Sequence, residues 1–591
     1  MSAAVEAHAA SGPEQIGWKT YLMLALVALA LFLPGRARLP PVDRDEARYL
    51  QATRQMLVSH DFIDIRFQDK PRNLQPVGVY WLEAASASLF GGARAPVWAY
   101  RLPSLIAALL AVLLTARLGA MLFGRRAGVG AGLLLAGCAL LSFESRMAKI
   151  DACLLASVVA AQGALLKAYL GQVRGAGRLN AAAFWTALAV GLLLKGPIVL
   201  IVSGTTALGL VLIERRAAWL KRLHAGWGGL LMLAIAAPWF VAIGIKTHGA
   251  FFDKAVRQNL LGKVGRGEQH HGQPPGYYLV LANLTFWPGA LATALATPWT
   301  WRMRTKRQVR FLLCWVLPTW LMYEAIGTKL PHYVLPLYPA LACLACGAAT
   351  SADGWRAGAF GRAAAVTYGA LWLVISGALA SAGAALVWRY AHHLDPVAIG
   401  FGMVAFGACI ATLVLVRRGA GGAASGAAIV GAAVIYAGLY AHVLPGLQTI
   451  WIGPRLAALA GRVRPCPTSV LASTRFAEPS LVFLEQGETR LVDARSAADL
   501  IASNRACAMA AVSARQLPVF TAQADADGVA LKVRGEVDGV SYSTGERLRL
   551  LLFTAAEAGG APGHPQPFQA APKTPPLPPV FPQKDSFPSE G

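Results

Sequence analysis

Charge is what this sequence has least of. Asp, Glu, Lys and Arg make up 14% of its residues, where a soluble globular domain carries about 25%. That deficit extends over most of the chain, so a polytopic membrane protein is expected rather than a soluble one. Cysteine is also sparse, eight in all. Cys138, Cys153, Cys314, Cys343, Cys346 and Cys409 fall in or beside apolar runs, where a thiol is a small packing residue. Cys466 and Cys507 lie in a more polar C-terminal region, where a disulfide is open to them if that region faces an oxidising compartment. There is no repeat with a solenoid period. Residues 1–17 carry little positive charge, and no small-residue cleavage site precedes Arg36. The first apolar run is therefore expected to be a retained helix, not a signal peptide.

What the chain has is apolar length. Hydrophobic residues reach 56%, and a spanning helix needs about 20 of them in a row. Runs recur at about 18–34, 101–123, 128–145, 152–170, 181–195, 197–213, 227–245, 277–299, 311–326, 333–349, 363–388, 397–416 and 426–445, which predicts about thirteen spans. The formal charge is +24, yet the basic residues are not gathered on one soluble face, which argues against nucleic-acid binding. They stand in short clusters between apolar runs: Arg125 and Arg126, Arg215 to Arg222, Arg302 to Arg310, Arg417 and Arg418. With the N-terminus cytoplasmic, each of these clusters faces the cytoplasm, as the positive-inside rule requires. The acids and histidines outside the tail then fall mostly in the outward loops. After Pro445 the composition changes. Apolar runs at 469–472, 481–484 and 508–512 read as strands and 496–504 as a helix, predicting a small α/β domain. The expected architecture is a polytopic α-helical membrane domain over 1–445, with a juxtamembrane outer loop at 35–100. A small extracytoplasmic α/β domain follows at 446–558, then a disordered Pro-rich tail at 559–591.

Five polar segments share the outward side. The first is VDRDEARYL at 42–50, opening the long loop. Asp43 with Glu46 three positions on resembles a capping box for a helix over 46–60, with Tyr49, Ala52, Met56 and Leu57 on its apolar face. Capping alone does not require both Asp45 and Glu46. The second is ESRMAKID at 144–151, where Asp151 is either an N-cap or an ionisable group facing the bundle interior. The third is Lys195-Gly196-Pro197, a break between two spans. The fourth, at 268–278, contains His270 and His271. Adjacent histidines hint at a metal, but consecutive side chains diverge. The fifth is TKLPHY at 328–333, where Lys329 and Tyr333 also suit snorkelling and aromatic-belt roles. Carboxylates, cations and imidazoles on one face fit group transfer from a lipid phosphate.

Together these segments resemble the polyprenyl-phosphate-dependent glycosyltransferases of the C-type fold. The likeness is to the aminoarabinose lipid A transferases, with protein O-mannosyltransferases further off. It covers about 18–350 and rests on DEARY (45–49), PVGVYW (76–81), RLPS (101–104), AKIDA (148–152), KGP (195–197), QPPGYY (273–278) and TKLPHYVLPLYP (328–339). The resemblance implies an inner-membrane enzyme with a periplasmic active site, an undecaprenyl-phosphate-linked sugar donor and inverting transfer to lipid A, lipopolysaccharide or another envelope glycolipid. Asp45 and Asp151 are then the catalytic acids. Glu46, Arg48, Tyr49, Arg72, Tyr80, Arg101, Lys195, His271, Tyr277, Lys329, His332 and Tyr333 are substrate-binding candidates. One departure stands out. The aminoarabinose enzymes carry Glu-Lys-Pro where this chain has Leu74-Gln75-Pro76, and that acid is associated with a metal. No cofactor is certain, and a divalent metal stays open, with His271 and Asp151 as weak candidate ligands. Protein O-glycosylation from the same donor and a lipid-glycan flippase are the competing expectations. A flippase predicts charges at mid-membrane depth, whereas here they gather at one surface.

Overall fold

The structure is a computed structural model that describes residues 16–173, 177–255, 273–351, 359–485 and 488–556. It divides into two compact units, one ending at Gly446 and one beginning at Leu447.

The first unit is helical. Its elements are α1 (Trp18–Phe32), α2 (Asp45–Ser59), α3 (Gly78–Leu89), α4 (Val97–Phe123), α5 (Arg125–Gly137), α6 (Ala139–Glu144), α7 (Asp151–Leu170), α8 (Arg178–Lys195), α9 (Ile198–Glu214) and α10 (Ala225–Lys246). There follow α11 (Tyr277–Thr285), α12 (Gly289–Arg302), α13 (Arg307–Ala325), α14 (Tyr338–Thr350), α15 (Ala359–Ala391), α16 (Pro396–Arg417) and α17 (Gly421–Tyr436). Among the described residues, seven helical segments are long and apolar enough to cross a membrane. This is a multi-pass membrane protein. Backbone groups in a bilayer must be satisfied within the protein, which is why such apolar runs become helices.

Two of the expected runs are broken, and the breaks meet. The 128–145 run divides at Cys138 into α5 and α6, and the 277–299 run divides at 286–288 into α11 and α12. The Ala139 amide donates to the Trp287 carbonyl at 2.9 Å, and the Cys138 thiol donates to the Thr285 carbonyl at 3.1 Å. Each interruption supplies the other's backbone with a partner. Tertiary pairing of this kind leaves no local sequence signal.

The loop after α1 is held by arginines. Buried Arg146 donates to the Pro34 carbonyl at 3.0 Å and to the Leu31 carbonyl, closing the end of α1, where backbone carbonyls lack helical partners. Between α2 and α3 lies a two-stranded hairpin, β1 (Arg66–Phe67) and β2 (Lys70–Pro71). Helix α2 begins at Asp45, and its N-cap residue, Arg44, makes no side-chain cap. Glu46 reaches back over this start, its Oε2 accepting from the Val42 amide at 2.8 Å.

The second unit is built on a five-stranded sheet ordered β4-β3-β5-β7-β6. Its strands are β3 (Val470–Ser473), β4 (Glu488–Leu491), β5 (Ala508–Ser513), β6 (Leu531–Val540) and β7 (Arg547–Ala555). Strand β3 runs parallel to both β4 and β5, while β7 is antiparallel to β5 and β6. Helices α18 (Ile452–Val463) and α19 (Pro479–Leu484) contribute to one core, and α20 (Ala494–Ser503) and α21 (Leu517–Ala526) to the other. The 481–484 run, expected as a strand, is helix α19. Pro479 stands in its first turn, a position where a missing amide costs nothing, and a short apolar run has no period that separates strand from helix. Cys466 and Cys507 form a disulfide, with Cα atoms 5.4 Å apart.

Candidate functional site

Three helix ends and one irregular turn of the first unit assemble the polar cluster. Asp151 is the first residue of α7 and is buried. Its Oδ1 accepts from Lys195 Nζ at 2.5 Å and lies 3.8 Å from His332 Nε2, while its Oδ2 lies 3.7 Å from Lys149 Nζ. Lys149 also donates to Glu144 Oε1 at 3.3 Å. Lys195 reaches this point because it ends α8, where Gly196 turns the chain at φ 64°, a conformation that favours glycine. The Lys195 ammonium also lies 5.5 Å from the Tyr333 ring centre. His332 and Tyr333 stand in a 3₁₀ stretch, Pro331–Leu337.

Helix α2 brings Asp45 to the same neighbourhood. Its carboxylate is exposed, and it acts electrostatically on Tyr49, Lys149 and Tyr333, the same three residues that feel Asp151. Behind Asp45, the Tyr49 and Tyr80 rings pack with centres 5.2 Å apart. The Arg72 guanidinium lies 5.0 Å from the Tyr49 ring centre, and its Nε donates to the Tyr80 hydroxyl at 3.1 Å. Burial disfavours the charge on Arg72, but Tyr80, Tyr49 and Asp45 outweigh it and hold its pKa above the usual arginine value. Burial raises the phenols of Tyr49 and Tyr80, so both stay neutral hydrogen-bonding groups. The Tyr49 hydroxyl donates to Gln75 Oε1 at 3.1 Å. Of the basic residues just upstream of that motif, Lys70 is exposed on the hairpin and Arg72 turns inward.

Not every candidate faces this cluster with a free group. Glu46 and Arg101 are both buried and paired through two bonds, at 2.7 and 2.8 Å. The remaining Arg101 donors reach the carbonyls of Arg36, Leu39 and Pro40, and Glu46 also accepts from the Ala148 amide at 2.8 Å. This pair is a strut tying α2 to α4 and to the segment that carries Lys149. Lys329 is likewise buried, donating to the carbonyls of Gln273 and Ile326 at 2.8 and 2.9 Å. Tyr277 opens α11, and Arg48 stands one residue before Tyr49 on α2. His271 lies outside the described residues.

Three participants were not among the expected site residues. Glu144 and Lys149 flank the break before α7, and their spacing around Asp151 was the available signal. Glu324 ends α13 and accepts from the Gly276 and Tyr278 amides at 2.9 and 3.0 Å. With Lys329 on Gln273 it fixes the segment that carries Tyr277 and Tyr278, and nothing in the sequence marks it.

Glu144, Asp151 and His332 bring ligand-type atoms within 4.8 Å of one another, and one Glu144 oxygen is buried with no hydrogen-bond partner among the described residues. The set does not fit a divalent ion well. Lys195 already sits on Asp151 at hydrogen-bond distance, and Lys149 bridges both acids, so the negative charge is met from within the protein. Leu74 supplies no ligand either.

Residues 74–241 match the family model for dolichyl-phosphate-mannose-protein mannosyltransferases. The undecaprenyl phosphate-alpha-4-amino-4-deoxy-L-arabinose arabinosyl transferase of Edwardsiella ictaluri is 28% identical over 56% of this chain and 59% of its own length. The enzyme of the same name from Pseudomonas aeruginosa strain LESB58 is 28% identical over 51% of this chain and 54% of its own. The chain thus spans between half and two thirds of the curated relatives it matches. In structure, ArnT from Cupriavidus metallidurans bound to undecaprenyl phosphate aligns with TM-score 0.72 at 19% identity, over 92% of this chain and 99% of that one. The Archaeoglobus fulgidus oligosaccharyltransferase in its apo form aligns with TM-score 0.51 at 12% identity, over 92% of this chain and 74% of that one. The fold is the C-type glycosyltransferase fold, and the chain is similar in sequence to the aminoarabinose transferases.

Proposed function

We propose that this chain is a bacterial inner-membrane glycosyltransferase. It moves a sugar from an undecaprenyl-phosphate-linked donor to lipid A or another envelope glycolipid at the periplasmic face, with inversion. Residues 1–445 form the catalytic membrane domain of about thirteen spans, and the C-terminal α/β domain lies in the periplasm. The observation that carries this reading is one neighbourhood shared by an exposed carboxylate, Asp45, and a buried, lysine-held one, Asp151, with Tyr49, Lys149 and Tyr333 in reach of both. In the step proposed, an acceptor oxygen attacks the sugar carbon from the face opposite the phosphate. The carbon–oxygen bond to phosphate breaks, and its electron pair leaves on the phosphate oxygen. Asp45 takes the acceptor's proton, and cations meet the charge that develops on the phosphate. Arg72 and Lys195 suit that task, Arg72 by its forked donors. Arg48, His332 and Tyr333 complete the donor side, while Glu46, Arg101, Glu324 and Lys329 position it.

The test is mass spectrometry of lipid A, other envelope glycolipids and secreted proteins from a deletion strain complemented with wild type or Asp45→Asn. A sugar increment on a glycolipid, lost on deletion and not restored by Asp45→Asn, is expected. Removing a positioned general base typically costs 10²–10⁴-fold, so full restoration by the variant would refute the assignment. The match of 74–241 to a protein mannosyltransferase family favours a second reading, with a Ser or Thr hydroxyl as acceptor. Glycan lost from secreted protein and not from glycolipid would select it.

A further inference from the structure

Glu83 is a buried acid that the transfer reaction leaves unused, one helical turn behind the donor-side cluster. Tyr49 and Thr53 are four residues apart on α2, and Tyr80 and Glu83 are three apart on α3, so each pair shares a helix face. The two faces meet twice. At the front, the Tyr49 and Tyr80 rings pack with centres 5.2 Å apart and carry Arg72. One turn behind, the Thr53 hydroxyl donates to Glu83 Oε2 at 2.7 Å, with both side chains withdrawn from water. Arg72 therefore rests on a helix contact whose second tie is a carboxyl group.

The surroundings of Glu83 decide its charge. Burial is the largest influence and pushes its pKa up to about 8. The Thr53 hydrogen bond opposes that rise, Glu46 of α2 adds to it, and Arg72 opposes it. Tyr80 on the same helix, Tyr100 at the start of α4 and Cys153 in the first turn of α7 each feel the Glu83 charge. The other cations nearby are engaged or turned away. Arg101 is bonded to Glu46, Lys195 at the end of α8 is bonded to Asp151, and Arg94, after α3, is exposed. Among the described residues no cation is bonded to Glu83, and its Oε1 is buried with no hydrogen-bond partner. A neutral carboxyl can keep the Thr53 hydroxyl and leave the Arg72 charge to act elsewhere. An ionised one would be repelled by Glu46 and would draw Arg72 toward itself, because charges attract strongly where water is excluded.

We propose that Glu83 is a positioning residue for the donor: as an uncharged acid on Thr53 it holds α3 against α2 and leaves the Arg72 guanidinium to the donor's phosphate. The assignment of that phosphate to Arg72 rests on the function proposed above, and the neutral clamp between the two helices does not. The acid is neutral below its folded pKa of about 8 and ionises above it. Phosphate affinity is therefore lost on the alkaline side.

The full chain in phosphatidylcholine nanodiscs is titrated with undecaprenyl phosphate across this range and followed by ³¹P NMR. Backbone hydrogen exchange over α2 and α3, corrected for its intrinsic pH dependence, is read on the same samples by mass spectrometry. Wild-type affinity is expected to fall about tenfold from about pH 7 to about pH 9, as the neutral fraction of one such group does. Glu83→Gln cannot ionise and loses this fall, whatever the height of its plateau. Arg72→Gln binds weakly throughout and loses it too. Ionisation of the added phosphate is common to all three proteins and cancels in the comparison. Exchange over α2 and α3 rises above about pH 8 in wild type and Arg72→Gln, and not in Glu83→Gln. No alkaline fall in wild type, or one that survives in Glu83→Gln, overturns the proposal. A full fall in Arg72→Gln overturns action through Arg72 and reduces Glu83 to a structural group. If wild type binds no undecaprenyl phosphate at any pH, the donor assigned above fails, and exchange alone decides the clamp. Loosening that Glu83→Gln removes then supports it, and equal exchange in the two proteins overturns it.

Discussion

Glu46, Asp151 and Glu83 are all buried, and their partners give them different consequences. Glu46 has Arg101, and both side chains are withdrawn from water. Removing one member of such a pair leaves the other charge uncompensated, which costs about 3–5 kcal/mol. Arg101→Met is therefore expected to lower the yield of folded protein and its melting temperature, measured in detergent by tryptophan fluorescence. Asp45→Asn should leave both unchanged. Equal stability of Arg101→Met and wild type would return Arg101 to the substrate. Glu83, on α3, has among the described residues only Thr53 as hydrogen-bond partner, whose hydroxyl donates to Oε2 at 2.7 Å. Its Oε1 is buried without a partner, and burial pushes its pKa up to about 8. In the folded protein it holds a proton over the range from its ordinary value of 4.5 to about 8, where the unfolded chain has released it. Its contribution therefore favours the fold at low pH and is lost as pH rises through that window. Glu83→Gln keeps the neutral form at every pH. Its melting temperature relative to wild type should rise steadily from pH 5 to pH 8.5, and a constant difference would mean that Glu83 is charged in the fold.

At the scale of elements, the site depends on how closely α3 approaches the end of α8. A Cβ on Gly78 would come 2.7 Å from the Leu193 carbonyl oxygen, two residues before Lys195. Gly78→Ala must push the two helices apart, an overpacking that costs roughly 1–3 kcal/mol, and Lys195 moves with α8. Transfer should fall further in this variant than in an alanine variant of Gly204, whose surroundings are open, and both are read with the same glycolipid assay. The elements themselves were largely legible in the sequence, because an apolar run in a membrane has few alternatives to a helix. The meeting breaks at Cys138 and 286–288 were not, since each is stabilised by the other across the fold. The Glu46–Arg101 strut was hidden for a related reason. Fifty-five residues separate its members, and a buried structural arginine reads like a phosphate-binding one until its donors are traced. The Lys195–Asp151 contact was foreshadowed by two polar interruptions on the same side. Glu324 had no such interruption to mark it.

For the whole molecule, orientation decides whether the polar cluster can meet a lipid-linked donor on the outer leaflet. The basic clusters and the acidic, histidine-bearing loops alternate along the chain, and the proposed periplasmic side of the cluster rests on the rule that lysine and arginine stay inside. The disulfide between Cys466 and Cys507 is consistent with that placement for the second unit, since such bonds persist in oxidising compartments. The 481–484 run shows why that unit was harder to read. Strands β3 and β4 have four residues each, and β5 pairs with strands distant in sequence on both sides. Native cysteines make the topology testable without a cysteine-free background, because Cys138, Cys153, Cys314, Cys343, Cys346 and Cys409 are all buried and the other two are joined. Single replacements Lys70→Cys, Arg216→Cys and Arg490→Cys each create one exposed thiol, in the outer loop, a basic loop and the second unit respectively. A membrane-impermeant maleimide should label the first and third in intact cells with a permeabilised outer membrane, and the second only after lysis. Labelling of Arg216→Cys in intact cells together with protection of Lys70→Cys would invert the protein, setting Asp45 and Asp151 in the cytoplasm, where a periplasmic acceptor cannot reach them.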